Sequence, residues 1–287
     1  MSIRNPMEWS VDQLATAARS AATEAGRHGH PANSRYASLP AIRRIGIADL
    51  RDALARGAAD LGAKRADIIF LCLIYPVAGL VLARAASGYG MLPLIFPLIS
   101  GFALIGPVTA VGLYEISRRR EEGLAVSWKD AFGVLHAPGF DALVGLSFLL
   151  LAIFVAWMVS AYAIYQATLG PNPPVSTSAF AHDVFTTPAG WTMIGIGIGV
   201  GFLFAVVVLT ISVVSFPLLL ERDAGLAGAV RTSVRAVLAN PGPMAVWGMI
   251  VAGALVLGAI PALIGLVVVL PLLGHATWHL YRKLVQH

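Results

Sequence analysis

Charge is scarce in this chain. Only 12% of its 287 residues are Asp, Glu, Lys or Arg, while 57% are hydrophobic and the mean hydropathy is +0.78. An ordinary soluble domain carries about 25% charge, so this balance excludes a water-soluble core. Cysteine is scarcer still. The single Cys72 lies within an apolar block, which excludes an intrachain disulfide and paired thiolate ligands. Catalytic motifs are missing too: there is no Gly-x-Ser-x-Gly elbow, Walker loop or His-Glu-x-x-His helix. His182 and Asp183 are adjacent, but no nucleophile accompanies them. The expectation is a protein that is not an enzyme and holds no cofactor. A basic start followed by a short apolar run is also lacking, so no signal peptide is read. Residues 1–40 are polar and form an expected flexible cytoplasmic arm, helical at most around Trp9, Leu14, Ala17 and Ala21.

What is present is long apolar blocks. They run from about Ala66 to Ala85, Met91 to Ser117, Ala142 to Leu169 and Gly190 to Leu220. A final stretch from Pro243 to Tyr281 has 39 residues, which as one helix would reach about 58 Å, far beyond a hydrocarbon layer of about 30 Å. It reads as a hairpin breaking near Gly258 and Pro261. The fold class expected is therefore all-α and polytopic, with six transmembrane helices across residues 41–287.

Positive charge sets the orientation, because Lys and Arg in short loops stay on the cytoplasmic side. With the amino terminus inside, Arg118, Arg119, Arg120, Lys129, Arg222, Arg231, Arg235, Arg282 and Lys283 are all cytoplasmic, and only Arg84 of the 20 basic residues lies outside. The long outer loop Gly170 to Ala189 has no Lys or Arg. Both termini are thus expected in the cytoplasm. The net charge of +5 flanks the spans instead of gathering on one soluble surface, so no nucleic-acid partner is read. The lipid bilayer is the expected partner.

The chain also repeats itself. Gly123-Leu124-Ala125 recurs as Gly225-Leu226-Ala227, and Ala137-Pro138-Gly139 as Asn240-Pro241-Gly242, at offsets of 102 and 103 residues. Each copy follows a charged span end, Arg120-Glu121 or Arg222-Asp223, with a short segment of helical period: Trp128, Phe132 and Leu135 in one, Val230, Val234 and Val237 in the other. A more degenerate copy has the stripe Ile47, Leu50, Leu54, Ala58 and Leu61, opposed by Arg51, Asp52, Arg56 and Asp60. The expected unit is an amphipathic helix on the cytoplasmic side, a span, an outer loop and a second span. Three degenerate repeats cover about 46–117, 123–220 and 225–283, and Ser127 and Asp130 have capping-box spacing.

Two sets of residues are candidate sites. His275 and His279 stand four apart on the last span and could hold haem or a metal, but a third ligand is missing. The preferred reading puts them in packing, beside Trp278 and Tyr281 in an interfacial aromatic belt. Glu115, Arg120, Glu121, Glu221, Arg222 and Asp223 gather at span ends as a charged cytoplasmic cluster, read first as solvated ion pairs and second as a docking or substrate surface. A charge at the bilayer centre costs about 2.5–3.5 kcal/mol. Asp67, Glu115, Asp141 and Glu221 all fall at span ends and Arg84 can snorkel, so no ion-pump relay is read. Pro76, Pro93, Pro97, Pro107, Pro217, Pro261 and Pro271, with Gly195, Gly197, Gly199 and Gly201, interrupt spans in a way that serves either transport or close packing.

The runs Ser215-Phe216-Pro217-Leu218-Leu219-Leu220-Glu221-Arg222-Asp223, Thr232 to Val237 with Asn240-Pro241-Gly242, and Gly274 to Lys283 resemble the bacterial domain of unknown function 2189 family of predicted integral membrane proteins, over roughly residues 40–285. Some members are labelled cytochrome c oxidase subunit I. The resemblance implies a bacterial inner-membrane protein with an association to respiratory subunits. It does not imply an oxidase core, which needs several buried histidines, whereas here the spans hold only His275 and His279. Residues and resemblance together give a non-enzymatic accessory, scaffold or assembly partner. The alternatives are a small-molecule or lipid transporter and a haem-binding membrane subunit.

Overall fold

The computed structural model describes residues 40–63, 77, 79, 84, 92–170, 174–261 and 263–286. Residues 1–39 of the expected arm, Cys72, Asp67, Pro76 and nearly all of the first expected span lie outside the described residues. Among the described residues, four helical stretches are long and apolar enough to cross a membrane: Leu92–Glu121, Phe140–Thr168, Pro188–Glu221 and Pro241–Ala259. In three of them the apolar side chains largely face outward, and the other, Pro188–Glu221, is more than half buried. Phe148, Val159 and Leu257, for example, are each more than 60% exposed, as lipid-facing residues of a bundle must be.

In chain order the helices are α1 (Ile47–Ala63), α2 (Ile95–Phe102), α3 (Gly106–Glu121), α4 (Phe140–Thr168), α5 (Thr177–Thr186), α6 (Pro188–Ser212), α7 (Ser215–Glu221), α8 (Gly225–Ala239), α9 (Pro241–Ala259) and α10 (Leu266–Leu284). Short 3-10 turns cover Leu92–Leu94, Ala103–Ile105 and Trp128–His136. The outer loop read from the sequence contains α5, started by the Ser176 hydroxyl accepting from the Ala179 N–H at 3.1 Å. The long carboxyl-terminal stretch breaks near the expected place. Helix α9 ends at Ala259, Leu263 adopts φ of 67°, and α10 begins at Leu266. Helix α10 matches α9 in length but carries His275, His279, Arg282 and Lys283.

Proline explains the breaks inside two spans. Pro107 opens α3 just after the 3-10 turn, where its missing N–H goes unneeded. Pro217 cannot donate to the carbonyl four residues back, and the helix is interrupted at Val213 and Val214. Ser233 of α8 covers that break: its hydroxyl donates to the Thr210 carbonyl at 2.8 Å and accepts from the Val214 N–H at 3.2 Å.

Glycine sets how closely the spans approach. Trp157 of α4 is buried beside Gly101 and Gly201, where added methyl groups would come within 2.8 Å and 3.1 Å of its ring. Its indole N–H donates to the Pro97 carbonyl at 2.9 Å. Hydrogen bonds between membrane helices average about 0.6 kcal/mol and reach about 1.7. Trp157→Phe should therefore destabilise by about 1 kcal/mol in a detergent unfolding titration, and an unchanged midpoint would remove this bond from the packing scheme.

Two amphipathic stripes differ from the sequence reading. On α1 the buried face is Leu50, Ala53, Gly57 and Asp60, while Ile47 and Ala58 are exposed. The helix is rotated because Gly57 admits α10: a methyl group there would come within 2.6 Å of the Ala276 backbone nitrogen. On α8 the buried face is Ala229, Thr232, Ser233 and Ala236, and the valine stripe is only half-buried along one flank. Trp128, Phe132 and Leu135 do lie on the surface, but in a 3-10 helix.

Both Pro-Gly breaks are docking points. The Gly139 N–H donates to the Leu219 carbonyl at 3.1 Å. Asn240 accepts from the Ile45 N–H at 2.8 Å and donates to the carbonyls of Arg43 and Ala236. The segment so held forms an antiparallel bridge between Ile42 and Val285, with Arg43 N–H on the Leu284 carbonyl and Gln286 N–H on the Ala41 carbonyl.

Candidate functional site: the polar ties around the last helix

Helix α10 is apolar in its first half and more polar in its second, and most of that second half is buried, with Thr277, Arg282 and Lys283 only partly so. Among the described residues, the titratable side chains along it meet three partners: α1, the end of α3 and the end of α7.

The deepest tie centres on Asp60 of α1. Its Oδ2 accepts from the Ser117 hydroxyl at 2.6 Å and lies 2.9 Å from His279 Nε2. Arg120 Nη1 donates to the Asp60 carbonyl at 2.8 Å and lies 3.4 Å from Oδ1. Ser117 has one proton and gives it to Asp60, so its oxygen accepts from His275 Nδ1 at 2.8 Å. Ser117 and His275 are fully buried and Asp60 is 7% exposed. Burial works to raise the Asp60 pKa, but the bonds from His279 and Ser117 outweigh it, and the carboxyl is held below the usual carboxylate range.

The second tie is at Glu115, which the sequence reading placed near water and which is buried. Arg118 donates to both of its oxygens at 2.8 Å, and Arg119 Nε donates to Oε1 at 2.6 Å. Arg119 reaches on to Asp130 at 2.6 Å, joining the 3-10 helix to α3. The backbone and hydroxyl of Ser127 both donate to Asp130, as the capping-box spacing anticipates, and lower its pKa. Gly133 permits this approach, since a methyl group there would meet Arg119 Nη2 at 2.9 Å.

The third tie joins two span ends. Arg282 Nε donates to Glu121 and its Nη1 to Glu221, each at 3.1 Å. Trp278 Nε1 donates to Glu121 at 3.2 Å, and the Tyr281 hydroxyl donates to Glu221. Arg222 lies 3.6 Å from Glu221. Lys283 adds pairs with Asp49 and Asp52 of α1.

These contacts bear on three expectations. The charged residues do not make one cluster: Glu115, Arg120 and the set Glu121, Glu221 and Arg222 belong to different ties, and Asp223 is exposed, accepting from the Gly225 N–H. Trp278 and Tyr281 are not an interfacial belt. Both are buried, with their polar atoms turned onto glutamates because α7 and α3 close over them. His275 and His279 are engaged in the first tie, and among the described residues no three His, Cys, Asp or Glu side chains are grouped to hold a metal ion. Sequence reasoning missed Asp60, Ser117 and Arg282. The signal for Asp60 was its place in the stripe Leu50, Ala53, Gly57 and Asp60, whose small members mark a close helix crossing.

Arg282 is about 30% exposed, where an ion pair contributes at most about 1 kcal/mol. Arg282→Gln is expected to cost about that much in thermal unfolding, with Arg282→Lys failing to restore it because a point charge cannot fork between two carboxylates. Full recovery in the lysine variant would count against the fork.

Residues 95–221 match the family model described as predicted integral membrane protein, domain of unknown function 2189, the family that the sequence resembles. The matched segment runs from α2 to the end of α7 and contains Glu115, Ser117, Arg120, Glu121 and Glu221, while α1 and α10 lie outside it. No curated protein and no solved structure matches the chain.

Proposed function

We propose that the chain is a non-enzymatic scaffold or accessory subunit of a bacterial cytoplasmic membrane, built from three repeats of an amphipathic helix and two spans. The observation that carries this reading is the use made of the polar residues. Asp60, Glu121, Glu221 and Arg282 bond to side chains of the same chain and lock α1, α3, α7 and α10 together at one end. A rigid charged end on an apolar bundle suits a partner that must be held at the membrane surface. Respiratory subunits are the candidates that the family resemblance offers. Extraction in a mild detergent followed by mass spectrometry tests this: a stoichiometric membrane partner is expected, and a lone chain that moves a solute across vesicles would overturn the reading in favour of transport.

The orientation follows from the same end. Arg120, Arg282, Lys283 and the bridged segment Ala41–Arg43 meet there, whereas α5 lies beyond the opposite end of α4. The charged end belongs on the cytoplasmic side. A reporter active only outside the cytoplasm, inserted at Ser176, should be active, and a silent fusion at Ser176 with an active one at the carboxyl terminus would invert the topology.

A further inference from the structure

Carboxylates neutralise much of the basic charge at this end. Arg56, Arg118, Arg119, Arg120, Arg222, Arg282 and Lys283 all have acidic partners within 4 Å. Among the described residues Arg43, Arg44, Arg51, Arg84, Lys129, Arg231 and Arg235 lack such a partner, and four of these lie on or beside one helix. Arg43, Arg44, Arg231 and Arg235 are exposed, and none of them forms an ion pair among the described residues. Asp49, whose field reaches Arg43, is already bonded to the Gly46 N–H and paired with Lys283.

The fold attaches both pairs to one helix, α8. Asn240 caps α8 and holds both the Arg43 carbonyl and the Ile45 N–H, so Arg43 and Arg44 stand at the carboxyl end of the helix that carries Arg231 and Arg235. Residues 231 and 235 share a helical face. Helix α8 contains no Asp or Glu, and its core face, Ala229, Thr232, Ser233 and Ala236, lies opposite the arginines. The half-buried Val230, Val234 and Val237 run along one flank, and Leu238, 71% exposed, lies between them and the arginines. Helix α9, long and apolar enough to cross a membrane, begins at Pro241 immediately after the cap, so this end of α8 adjoins a candidate span.

We infer that Arg43, Arg44, Arg231 and Arg235 form a docking surface for anionic phospholipid headgroups, with Leu238 and the valine flank against the acyl chains. The charge is of one sign and uncompensated, it borders a span, and apolar side chains accompany it, which is the pattern of an interfacial helix on an anionic leaflet. The inference needs the membrane bundle alone and stands apart from the scaffold reading.

The test uses the full chain in detergent, titrated with phosphatidylglycerol or phosphatidylcholine and read by native mass spectrometry for bound lipid. Wild type should favour the anionic lipid, and less so as salt is raised. Each arginine contributes roughly fivefold. The variant R43Q/R44Q/R231Q/R235Q should therefore lose at least about tenfold of that preference, with its lipid-free melting unchanged. Should the fourfold variant fail to fold, R231Q/R235Q alone should still lose several-fold. An equal preference in variant and wild type overturns the inference. So does binding of inorganic phosphate that excludes the lipid, or retention of a nucleic acid or an acidic protein in its place.

Discussion

Asp60→Ala is expected to be among the most damaging single substitutions in this chain, costing about 3–5 kcal/mol, because it removes one partner of a buried ionic tie and leaves the others unpaired. Ser117 would lose its acceptor, His279 its carboxylate and Arg120 its nearest counter-charge, all where three helices meet. Asp60→Asn keeps the volume and an acceptor oxygen, so it should cost clearly less. The same residue gives an acid limb to the stability. Its pKa is lowered in the folded protein, so its contribution is full above the range where an ordinary aspartate titrates, about pH 4, and is lost as the pH falls through and below that range. Thermal unfolding in detergent, followed by tryptophan fluorescence, should show this acid limb in wild type and a flatter one in Asp60→Asn. An Asp60→Ala variant that melts with wild type would show that the tie does not hold α1 to α10.

The second large effect is one of sign. Gly→Ala inside a helix ordinarily stabilises by about 0.5–1 kcal/mol. At Gly57 the added methyl group would come within 2.6 Å of the Ala276 nitrogen and 2.8 Å of its Cα, both backbone atoms that cannot swing away. Overpacking of this kind typically costs about 1–3 kcal/mol. Gly62 lies on the same helix, and a methyl group added there would meet nothing within 4 Å. Gly57→Ala should therefore destabilise and Gly62→Ala should be neutral or mildly stabilising. The pair is informative because intrinsic helix propensity predicts the same direction for both; a rise in stability at both positions would mean that α1 does not lie against Ala276.

Much of the helical layout was legible in the sequence because the bilayer imposes length and apolarity, and those read directly from the blocks ending at Ser117, Leu169 and Leu220. The break near Gly258 and Pro261 was legible for the same reason, since no single helix of that length fits. The ties were not legible. Asp60 sits among Arg51, Asp52 and Arg56 and reads as one more solvated charge, until the crossing at Gly57 turns its face toward α10. Trp278 and Tyr281 have the composition of an interfacial belt, and only the return of Glu121 and Glu221 to the same end buries them. Periodicity gives the face of an isolated helix; which partner covers it depends on residues far away along the chain. One of these meetings falls at a motif visible in the sequence, because the second Pro-Gly break begins at Asn240, the residue that pins Arg43 and Ile45.

The meeting of the chain's early and late segments at one end of the bundle can be tested by cross-linking. Ile42 and Val285 face each other as the non-hydrogen-bonded pair of an antiparallel bridge, flanked by the bonds from Arg43 to Leu284 and from Gln286 to Ala41. In such a pair the Cα atoms are about 4.5 Å apart, within reach of a disulfide. The double variant Ile42→Cys/Val285→Cys, with Cys72→Ser to remove the native thiol, is to be oxidised in native membranes and run on a non-reducing gel. Near-complete intrachain cross-linking, with none in either single-cysteine variant, is the expected result. Free thiols at both positions after oxidation would contradict the closure of α1 on α10, and with it the charged end on which the scaffold reading rests.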